Sequence, residues 1–429
     1  MQVAIYTLGC KVNQYETQAM EQELRRRGHT LVPFDGPAEA YIINTCSVTA
    51  VSDKKSRQMI RRCRRQNPAA IVCACGCYTQ THSAEAQALD IDLIGGSAGR
   101  MAFLDALEQV YARRRRVVQL DDALGRREFE PLSAGGMESR TRAMLKIEDG
   151  CQNFCTYCII PFARGPVRSL PIPEALREVE RLRREGYREV VLTGIEISSW
   201  GHDLPTGETI IDLLEAISAA AGDLRLRLGS LEPRTVTEDF CQRAARLPNL
   251  CPHFHLSLQS GCDATLKRMN RRYDTARYFA SCELLRQYFD RPAITTDLIT
   301  GFPGETEAEF DQTLAFIRQC AFAEMHIFPY SIRPGTKAAE LPQVPGPVKD
   351  RRAARAAALA AELHRDYLLG CVGKIYPVLL EQADGEGRFT GHAPNYMAVA
   401  VPGEGLHNVI KSVEITGSNG EILLGRVAE

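Results

Sequence analysis

The sequence predicts an α/β protein made of three parts: an N-terminal parallel-sheet α/β domain, a central partial (β/α)6 TIM barrel and a small C-terminal antiparallel β-barrel. Three observations support this prediction. Short β-rich runs alternate with amphipathic stretches over residues 1–116, and six further strand–helix units follow between residues 140 and 370. The last block, residues 371–429, has only short strands with glycine-containing turns.

In the N-terminal block, strands are predicted at residues 3–8, 41–44, 70–74 and 91–94. A helix is predicted over residues 15–27, ending at Gly28, and a second helix contains residues 58–65. Strands that alternate with helices form a parallel sheet, because parallel neighbours need a crossover connection. Residues 117–139 have weak periodicity and contain glycine and proline, so they are predicted to be a linker.

In the central block, strands are predicted at residues 143–147, 189–192, 225–228, 253–258, 293–299 and 324–328. Helical patterns separate them, as in residues 174–185, which follow Pro173 and end at Gly186. Six units are fewer than the eight of a complete TIM barrel, so the barrel is expected to be open. Residues 349–369 are predicted to form a long Ala-rich helix. The C-terminal strands are predicted at residues 375–380, 396–401, 409–417 and 422–427.

The composition is that of a globular protein, with 45% hydrophobic and 24% charged residues. These proportions exclude a disordered chain. The 52 basic and 53 acidic residues give a formal net charge of −1, so binding to nucleic acid must come from local patches. The apolar stretches are too short to span a membrane, and the N-terminus lacks the basic region of a signal peptide. The chain is therefore expected to be cytoplasmic, without a membrane partner.

The 15 cysteines are the unusual feature of the composition. Without an export signal a disulfide framework is not expected, so metal or thiolate chemistry is predicted. The strongest pattern is the central triad, Cys151, Cys155 and Cys158, just after the first strand of the central block. Thiolates bind iron–sulfur clusters, and three ligands on a four-iron cube leave one iron free for a small molecule. The spacing also fits one face of a helix, but Gly150 and Pro161 favour a loop.

A second set of cysteines, the N-terminal triad, consists of Cys10, Cys46 and Cys77. Each follows a predicted strand, and loops after parallel strands open at the same edge of a sheet. The three residues are therefore expected to converge although they are far apart in sequence. Cys73 and Cys75 are alternatives to Cys77, because they belong to the same run.

The Cys-x-x-x-Cys-x-x-Cys pattern after a barrel strand is similar to that of the radical S-adenosylmethionine (SAM) superfamily. The sequence GCQNFCTYCIIPFARG of residues 150–165 resembles the methylthiotransferase branch, as do the segments GCKVNQ, NTCSV and GCY of the N-terminal triad. This resemblance implies two 4Fe–4S clusters, one on the central triad that binds SAM and an auxiliary one on the N-terminal triad. It further implies that one electron cleaves SAM to a 5′-deoxyadenosyl radical, and that the auxiliary cluster carries the sulfur to be inserted.

Catalytic residues are expected after the barrel strands, because such barrels place their sites at strand ends. Five segments similar to those of the family lie there, at residues 193–196, 230–233, 257–261, 300–305 and 330–336. The residues predicted to bind SAM are Tyr157, Gly194, Glu196, Ser230, Glu232, Gln259 and Arg333. Arg164 and Arg333 are candidates to bind either the carboxylate of SAM or an RNA phosphate, since a guanidinium suits both anions.

The C-terminal block resembles the TRAM domain of this family, a small β-barrel that binds RNA. From Cys371 onwards, however, it has four basic and seven acidic residues, a net charge of −3, which predicts weak attraction to phosphate. Tyr396 is a candidate to stack on bases. Stronger basic patches lie at residues 267–272 and in residues 54–65, where the candidates are Lys54, Lys55, Arg57 and Arg61. A solvated helix face is the alternative interpretation.

The resemblance covers nearly the whole chain and implies a tRNA methylthiotransferase that uses two SAM molecules per turnover. Segments 9–14, 163–169 and 192–198 are most similar to the branch that acts on N6-threonylcarbamoyladenosine. The expected product carries a methylthio group at C2 of this adenosine, 3′-adjacent to the anticodon. The implied partners are the tRNA anticodon stem-loop and an electron donor such as flavodoxin or ferredoxin.

Other interpretations stay open from the sequence. Within the family, some members act on isopentenyl-adenosine in tRNA and others on an aspartate of a ribosomal protein. A zinc-bound RNA-binding scaffold without catalysis is an alternative of another class, because zinc also uses clustered cysteines. A further possibility is a radical SAM enzyme in which the N-terminal triad only packs in the core.

Overall fold

The computed structural model describes residues 1–135 and 141–428, so residues 136–139 of the predicted linker lie outside the described residues. The three predicted parts follow one another in the expected order, which confirms the predicted fold class. Within the described residues, no helix is both long and apolar enough to cross a membrane.

The N-terminal domain is a parallel sheet between helices. Its strands are Gln2–Thr7 (β1), Thr30–Leu31 (β2), Ala40–Thr45 (β3), Ile71–Gly76 (β4), Leu93–Gly95 (β5) and Val117–Gln119 (β6). Its helices are Lys11–Arg26 (α1), Ala50–Gln66 (α2), Cys77–Thr81 (α3), Ser83–Gln87 (α4) and Arg100–Arg113 (α5). The strand order is β2-β1-β3-β4-β5-β6, so β1, β3 and β4 are neighbours.

The sheet is covered on both faces because alternate residues of its central strands point to opposite sides. In β3, Ala40 and Ile42 pack towards α1 and α5, whereas Tyr41 and Ile43 pack towards α2. This arrangement leaves the two ends of the strands as the accessible parts of the sheet. The end at which the strands finish carries the candidate site.

The two edge strands, β2 and β6, are not predicted from the sequence. β2 has two residues, and β6 is formed by the first residues of the segment predicted as a linker. In the same segment Leu132 and Ala134 are buried against α1. Short edge strands and single buried residues give too little periodicity to be recognised in a sequence.

The central block begins with a strand at Arg142. Its strands are Arg142–Lys146 (β7), Glu148–Asp149 (β8), Arg168–Ser169 (β9), Glu189–Thr193 (β10), Arg225–Leu228 (β11), Ser230–Leu231 (β12), His253–Leu256 (β13), Ala293–Thr300 (β14) and Glu324–Pro329 (β15). Its helices are Ile160–Arg164 (α6), Ile172–Arg184 (α7), Ile210–Ala221 (α8), Glu238–Ala244 (α9), Asp263–Arg268 (α10), Thr275–Tyr288 (α11), Glu307–Cys320 (α12) and Gly346–Leu369 (α13).

All six predicted barrel strands are present in the structure. β7, β10 and β11 form one parallel sheet, and β12, β13, β14 and β15 form a second. The division falls at Gly229, between β11 and β12, so the chain passes directly from one sheet into the other. Together the two sheets form the predicted partial barrel, with the strand ends on one side.

The C-terminal block forms a closed five-stranded barrel. Its strands are Ile375–Ala383 (β16), Arg388–His392 (β17), Ala398–Pro402 (β18), Val409–Ser418 (β19) and Leu423–Val427 (β20), in the order β16-β17-β18-β20-β19. Four of these strands are predicted from the sequence, and β17 is not. The prediction of an antiparallel barrel holds for every pair except β18 and β20, which are parallel.

A buried carboxylate joins the central and C-terminal barrels. Glu189 accepts hydrogen bonds from Arg225 Nη2 at 2.7 Å and from Arg227 Nε at 2.8 Å. Arg225 Nη1 then donates to the Pro377 carbonyl at 2.9 Å, and Arg227 Nη1 donates to the Pro394 carbonyl at 2.8 Å. Burial works to raise the pKa of Glu189, but Arg227 and Arg225 outweigh it and hold that pKa well below its usual value.

The Glu189→Gln substitution is expected to lower the free energy of unfolding by about 3–5 kcal/mol, because it leaves two buried guanidinium groups without a carboxylate. Urea unfolding monitored by the fluorescence of Trp200, which is buried in the central block and is the only tryptophan, measures this change. Glu174→Gln is the matched control. Its exposed pair with Arg177 is expected to contribute at most about 1 kcal/mol.

The difference between the wild type and Glu189→Gln should also shrink as the pH falls below 4.5, the ordinary pKa of a glutamate. In that range the unfolded chain binds a proton that the folded carboxylate does not, so the wild type loses the stability that the charge provides. A difference that stays constant down to about pH 3 would contradict the role assigned to the Glu189 charge.

Candidate functional site

The three cysteines of the N-terminal triad lie at the same edge of the N-terminal sheet. Cys10 immediately precedes α1, Cys46 directly follows β3, and Cys77 begins α3 directly after β4. Because β1, β3 and β4 are adjacent and parallel, the three residues follow neighbouring strand ends. This is the edge at which open α/β sheets bind their ligands.

Two glycines allow the cysteine-bearing loops to approach one another. Gly9 has a φ of +103°, and a Cβ placed on it would lie 2.8 Å from Cys46 Sγ. Gly76 has a φ of +108°, and a Cβ there would lie 2.5 Å from the Thr45 carbonyl oxygen. Any larger residue would be strained in backbone and would collide with its neighbour. The glycines before Cys10 and Cys77 thus bring both residues close to Cys46.

The position of Cys77 differs from that of its two neighbours in the same run. Cys73 and Cys75 lie within β4 and pack in the core with residues of α5 such as Phe103. Cys77 is the first residue beyond the strand. Burial, together with the neighbouring Cys77 and Cys10 thiols, raises the pKa of the Cys46 thiol to about 11. Of the three cysteines in this run, Cys77 is therefore the one that lies beside Cys46 and Cys10.

The central triad lies in a loop between β8 and α6. Residues 151–158 are not helical, so the alternative that these cysteines share a helix face is wrong. The Cys158 amide donates to the Cys155 carbonyl at 3.0 Å, and the Cys151 amide donates to the Gly165 carbonyl at 3.0 Å. Burial, with the Cys155 thiol contributing, raises the pKa of the Cys158 thiol to about 12. All three side chains are partly exposed, as cluster ligands facing a small molecule must be.

Arg271 is a residue of this site that the sequence does not identify. It belongs to the basic run at residues 267–272, which the sequence predicts as a surface patch. Its Nη1 donates to Cys155 Sγ at 3.2 Å, and its Nη2 donates to Glu232 Oε1 at 2.5 Å. The side chain is buried. It therefore places a positive charge beside a thiol of the central triad.

The two triads adjoin each other across the boundary between the domains. Helix α3, which begins with Cys77, packs against α6, which begins two residues after Cys158. The Cys77 thiol contributes to the raised pKa of Cys158. Arg164, at the end of α6, adjoins Cys77 and works against the burial that raises the pKa of that thiol. A guanidinium of the central block thus belongs to the surroundings of the N-terminal triad.

A buried network fixes Arg164 in this position. Arg164 Nη1 donates to Glu16 Oε1 at 2.5 Å, and its Nη2 donates to Asn13 Oδ1 at 2.7 Å. Glu16 also accepts from Arg100 Nη2 at 2.7 Å and lies 3.4 Å from Lys146 Nζ. Burial works to raise the pKa of Glu16, but the three cations outweigh it and hold that pKa well below its usual value. The Glu16 carboxylate therefore links cations of both domains.

A cavity of about 230 Å³, the cavity between the triads, is lined by residues from the loop after Cys46 and from the loop of the central triad. On one side it is lined by Val48 and Thr49, which follow Cys46 by two and three residues. On the other side it is lined by Tyr157, which stands between Cys155 and Cys158. A molecule in this cavity would therefore contact the loops of both triads.

The residues predicted to bind SAM divide between two cavities. Tyr157, Gln259 and Arg333 line the cavity between the triads. Gln259 has a φ of 68°, which is rare for a residue with a Cβ and is typical of functional positions. Glu196 and Glu232 line a second cavity of about 350 Å³.

The surroundings of the predicted SAM residues near the second cavity are polar. Burial, to which the Glu232 carboxylate adds, raises the pKa of Glu196 to about 7. Gly194 lies against Glu148, whose Oε2 would be 2.7 Å from a Cβ at position 194. Ser230 is exposed at the start of β12. Carboxylates in this region can accept hydrogen bonds from an ammonium group or a ribose.

The candidate RNA-binding residues of α2 lie on its surface. Lys54, Lys55 and Arg61 are exposed, and none of them has an ion-pair partner in the part of the chain that the structure describes. Arg57 lies over the ring of Tyr78, and its Nη1 is 3.4 Å from Glu85 Oε2. The exposed cations of α2 are therefore free to meet phosphate groups.

Two other RNA-binding candidates make contacts within the protein. Arg164 has no exposed surface and is bound in the Glu16 network. Tyr396 is partly buried; its hydroxyl accepts a hydrogen bond from Arg142 Nη1 at 3.0 Å, and its ring contacts the Arg227 guanidinium and the stacked ring of His392. Tyr396 thus joins the C-terminal barrel to the central one.

The cysteines of the two triads are of the type that holds iron–sulfur clusters. Among residues 1–135 and 141–428, no group of three or more Cys, His, Asp or Glu side chains is close enough to hold a single metal ion. A four-iron cluster does not require such convergence, because each thiolate binds a different iron. Arg271 Nη1 also donates a hydrogen bond to Cys155 Sγ, so the site has a cation beside one of its sulfur atoms.

Comparison with known proteins gives matches over most of the chain. A model described as the Radical SAM superfamily matches residues 145–317, and a model described as Uncharacterized protein family UPF0004 matches residues 2–96. The threonylcarbamoyladenosine tRNA methylthiotransferase MtaB of Bacillus subtilis is 40% identical over 94% of this chain and 90% of its own length. The tRNA-2-methylthio-N(6)-dimethylallyladenosine synthase of Syntrophotalea carbinolica is 32% identical over 89% of this chain and 88% of its own.

A solved structure shares the fold. The radical S-adenosylmethionine methyltransferase TsrM from Kitasatospora setae, whose structure holds cobalamin and a [4Fe-4S] cluster, superposes with a TM-score of 0.56. The match covers 79% of this chain and 77% of that chain at 16% sequence identity. At this identity the similarity establishes a common architecture.

The Glu16→Gln substitution is expected to loosen the boundary between the two triads. Removing one of the two buried carboxylates, Glu16 and Asp149, that pair with these cations should cost about 3–5 kcal/mol of folding free energy. Amide hydrogen exchange of the iron-free protein should become faster in α1, α3 and α6, and should stay unchanged in the C-terminal barrel.

The matched control for this prediction is Glu23→Gln, near the other end of α1, which removes the pairs with Arg26 and Arg27 and should leave the exchange of α3 and α6 as in the wild type. Equal exchange of Glu16→Gln and wild type in α3 and α6 would show that the network does not hold the two triads together.

Proposed function

Because the chain belongs to the radical SAM methylthiotransferase family, we propose that it adds a methylthio group to C2 of N6-threonylcarbamoyladenosine in tRNA. The supporting observation is the cavity of about 230 Å³, which contacts the loops of both cysteine triads. A base held there is within reach of both chemical groups that the reaction needs. In this proposal residues 1–116 hold an auxiliary cluster, residues 140–370 bind SAM and residues 371–429 form a TRAM-like domain.

The proposed cofactors are SAM and two 4Fe–4S clusters. Cys151, Cys155 and Cys158 would hold the cluster that binds SAM, and the N-terminal triad would hold the second. When bound, SAM and its cluster supply a 5′-deoxyadenosyl radical, formed when one electron from a donor such as flavodoxin or ferredoxin cleaves a sulfur–carbon bond of SAM and releases methionine. A radical suits this substrate, because the C2–H bond of adenine is not readily broken by a general base.

The chain itself contributes orientation and protection from water. Arg271 would fix the Cys155 side of the central cluster, as its hydrogen bond to Cys155 Sγ indicates. Glu196 and Glu232 would accept hydrogen bonds from the ammonium group or the ribose of SAM. Val48 and Phe328 line the cavity with apolar surface, which would exclude water from a reactive radical.

We further propose that α2 binds the anticodon stem-loop. Thr49, which caps the N-terminus of α2, lines the cavity between the triads. Lys54, Lys55 and Arg61 follow it on the surface of the same helix. Phosphates bound by these cations would bring the neighbouring loop nucleotide to the mouth of the cavity.

Isopentenyl-adenosine is the second candidate substrate, because synthases of its methylthio derivative match this chain at 32–34% identity. We favour threonylcarbamoyladenosine because the relative that acts on it, by its name, is 40% identical. Deletion of the gene should therefore remove 2-methylthio-threonylcarbamoyladenosine from tRNA digests and leave 2-methylthio-isopentenyl-adenosine unchanged. Mass spectrometry of the nucleosides measures both, and the opposite loss would assign the chain to the isopentenyl branch.

Anaerobically reconstituted wild-type protein should be brown and hold about eight irons, from two four-iron clusters. Cys46→Ala should hold about half of this iron and should lose methylthiolation, because the auxiliary cluster loses one of its three thiolates. It should still cleave SAM to 5′-deoxyadenosine, since the central triad is intact.

Cys63→Ala provides the control, because Cys63 is buried on α2 outside both triads and should leave iron content and activity as in the wild type. A Cys46→Ala protein with full methylthiolation would show that the N-terminal triad only packs in the core. A colourless wild-type protein loaded with zinc would favour the alternative function, a zinc-bound RNA-binding scaffold without catalysis.

A further inference from the structure

Arg333 follows β15 and crosses from the central barrel to the N-terminal domain. Its Nη2 donates to Ser47 Oγ at 2.8 Å and to Asp53 Oδ2 at 2.6 Å. The side chain is 2% exposed, and its Nε and Nη1 atoms are buried without a hydrogen-bond partner among the described residues. A guanidinium stays charged even when buried, so unpartnered donors beside a cavity indicate an acceptor supplied by a ligand.

The lining of the cavity that includes Arg333 carries one charge of each sign. Of the described residues that line it, Arg333 is the one cation and Asp297 is the one carboxylate. Asp297 lies two residues before Ile299 on the same face of β14, and its Oδ2 is 3.3 Å from His255 Nε2. An anionic group is therefore repelled by Asp297 and attracted by Arg333, whose Nη2 already pairs with Asp53 and whose other nitrogens do not.

We propose that Arg333 binds the carboxylate of the N6 substituent of the substrate, an inference that rests on the function proposed above. The threonylcarbamoyl group ends in the carboxylate of its threonine part. A carboxylate is the acceptor with which a guanidinium forms its strongest hydrogen bonds. The unpartnered nitrogens of Arg333 thus have a matching group on this substrate.

The same residue selects against the other candidate substrate. An isopentenyl group has no hydrogen-bond acceptor, so it would leave Arg333 Nε and Nη1 unpartnered in a cavity lined by apolar side chains such as Val48 and Phe328. A site built around a polar group of its substrate strongly rejects an analogue that lacks this group. Arg333 is therefore a specificity-determining residue.

Binding at Arg333 also places the substrate at the domain boundary. Ser47 follows Cys46 directly, and Asp53 lies on α2. A further hydrogen bond, from the Ala50 amide to Ser331 Oγ at 2.9 Å, also joins the start of α2 to the segment that follows β15. A carboxylate held by Arg333 consequently lies close to the loop that follows Cys46 and to the first turn of α2.

The test compares two anticodon stem-loop RNAs, one with the free threonylcarbamoyl acid and one with its methyl ester. Binding to the reconstituted full-length protein is measured by fluorescence anisotropy at one salt concentration. The wild type is expected to bind the acid about 10- to 100-fold more tightly than the ester. Arg333→Gln should bind the two RNAs about equally. The ratio of the affinities for the two RNAs is measured on one protein preparation, so it does not depend on the fraction of the protein that is folded.

Two variants separate ligand binding from the contact between domains. Arg333→Lys keeps a cation and should retain part of the preference for the acid. Asp53→Asn removes the carboxylate on Nη2 but keeps the guanidinium, so its preference should equal or exceed that of the wild type. A preference lost equally in Asp53→Asn and Arg333→Gln would assign the effect to the domain contact and overturn the proposal.

Wild-type protein that binds acid and ester equally, or an Arg333→Gln protein that keeps the preference, would also overturn it. If wild-type protein that binds acid and ester equally still methylthiolates threonylcarbamoyladenosine, the proposed function stands and only the role of Arg333 fails. If product analysis instead shows methylthiolation of isopentenyl-adenosine alone, both proposals fail.

Discussion

The arrangement of the candidate site depends on the buried carboxylate of Glu16. It neutralises Arg100 of the N-terminal domain and Arg164 and Lys146 of the central barrel. Charges without water are stable only when they are paired. Moving the two domains apart would separate Arg164 and Lys146 from Glu16 and leave Asp149 as their remaining buried carboxylate, so the domains are held in one relative position. Arg164 adjoins Cys77, and this constraint therefore also fixes the N-terminal triad relative to the central one.

A second connection between the two domains is the contact of Arg333 with Asp53, at the cavity between the triads. In the Glu16 network the terminal nitrogens of Arg100, Arg164 and Lys146 all have partners, and Asp149 shares two of these cations with Glu16. Arg333, by contrast, leaves Nη1 as well as Nε without a partner among the described residues. The first connection therefore serves to hold the domains together, and the second leaves binding capacity for a ligand. The proposed reaction would require both properties, because a misplacement of about 1 Å is costly in rate.

The fold was largely predictable because its signals are local. The six barrel strands follow from periodicity and turn residues, and both triads follow from cysteines placed after strands. The roles of individual arginines were not predictable in the same way. Arg271 stands in a run of basic residues that looks like a surface patch, yet it is buried against Cys155, 116 positions earlier in the chain. Arg164 and Tyr396 are bound by distant partners for the same reason. A sequence pattern gives the type of a side chain, but burial depends on elements that only the folded chain brings together.

The packing of Tyr396 against the central barrel bears on where RNA recognition would originate under the proposed function. The C-terminal barrel has a net charge of −3, and its contacts with Arg142, Arg225 and Arg227 use cations of the central barrel for docking. Attraction of phosphate is therefore expected to come from outside this barrel. Helix α2 has exposed cations, and its capping residue Thr49 lines the cavity between the triads. Since charge attracts the backbone without regard to sequence, the proposed function would place selection of the nucleotide inside the cavity, where Arg333 and Asp297 are the charged groups among the described lining residues.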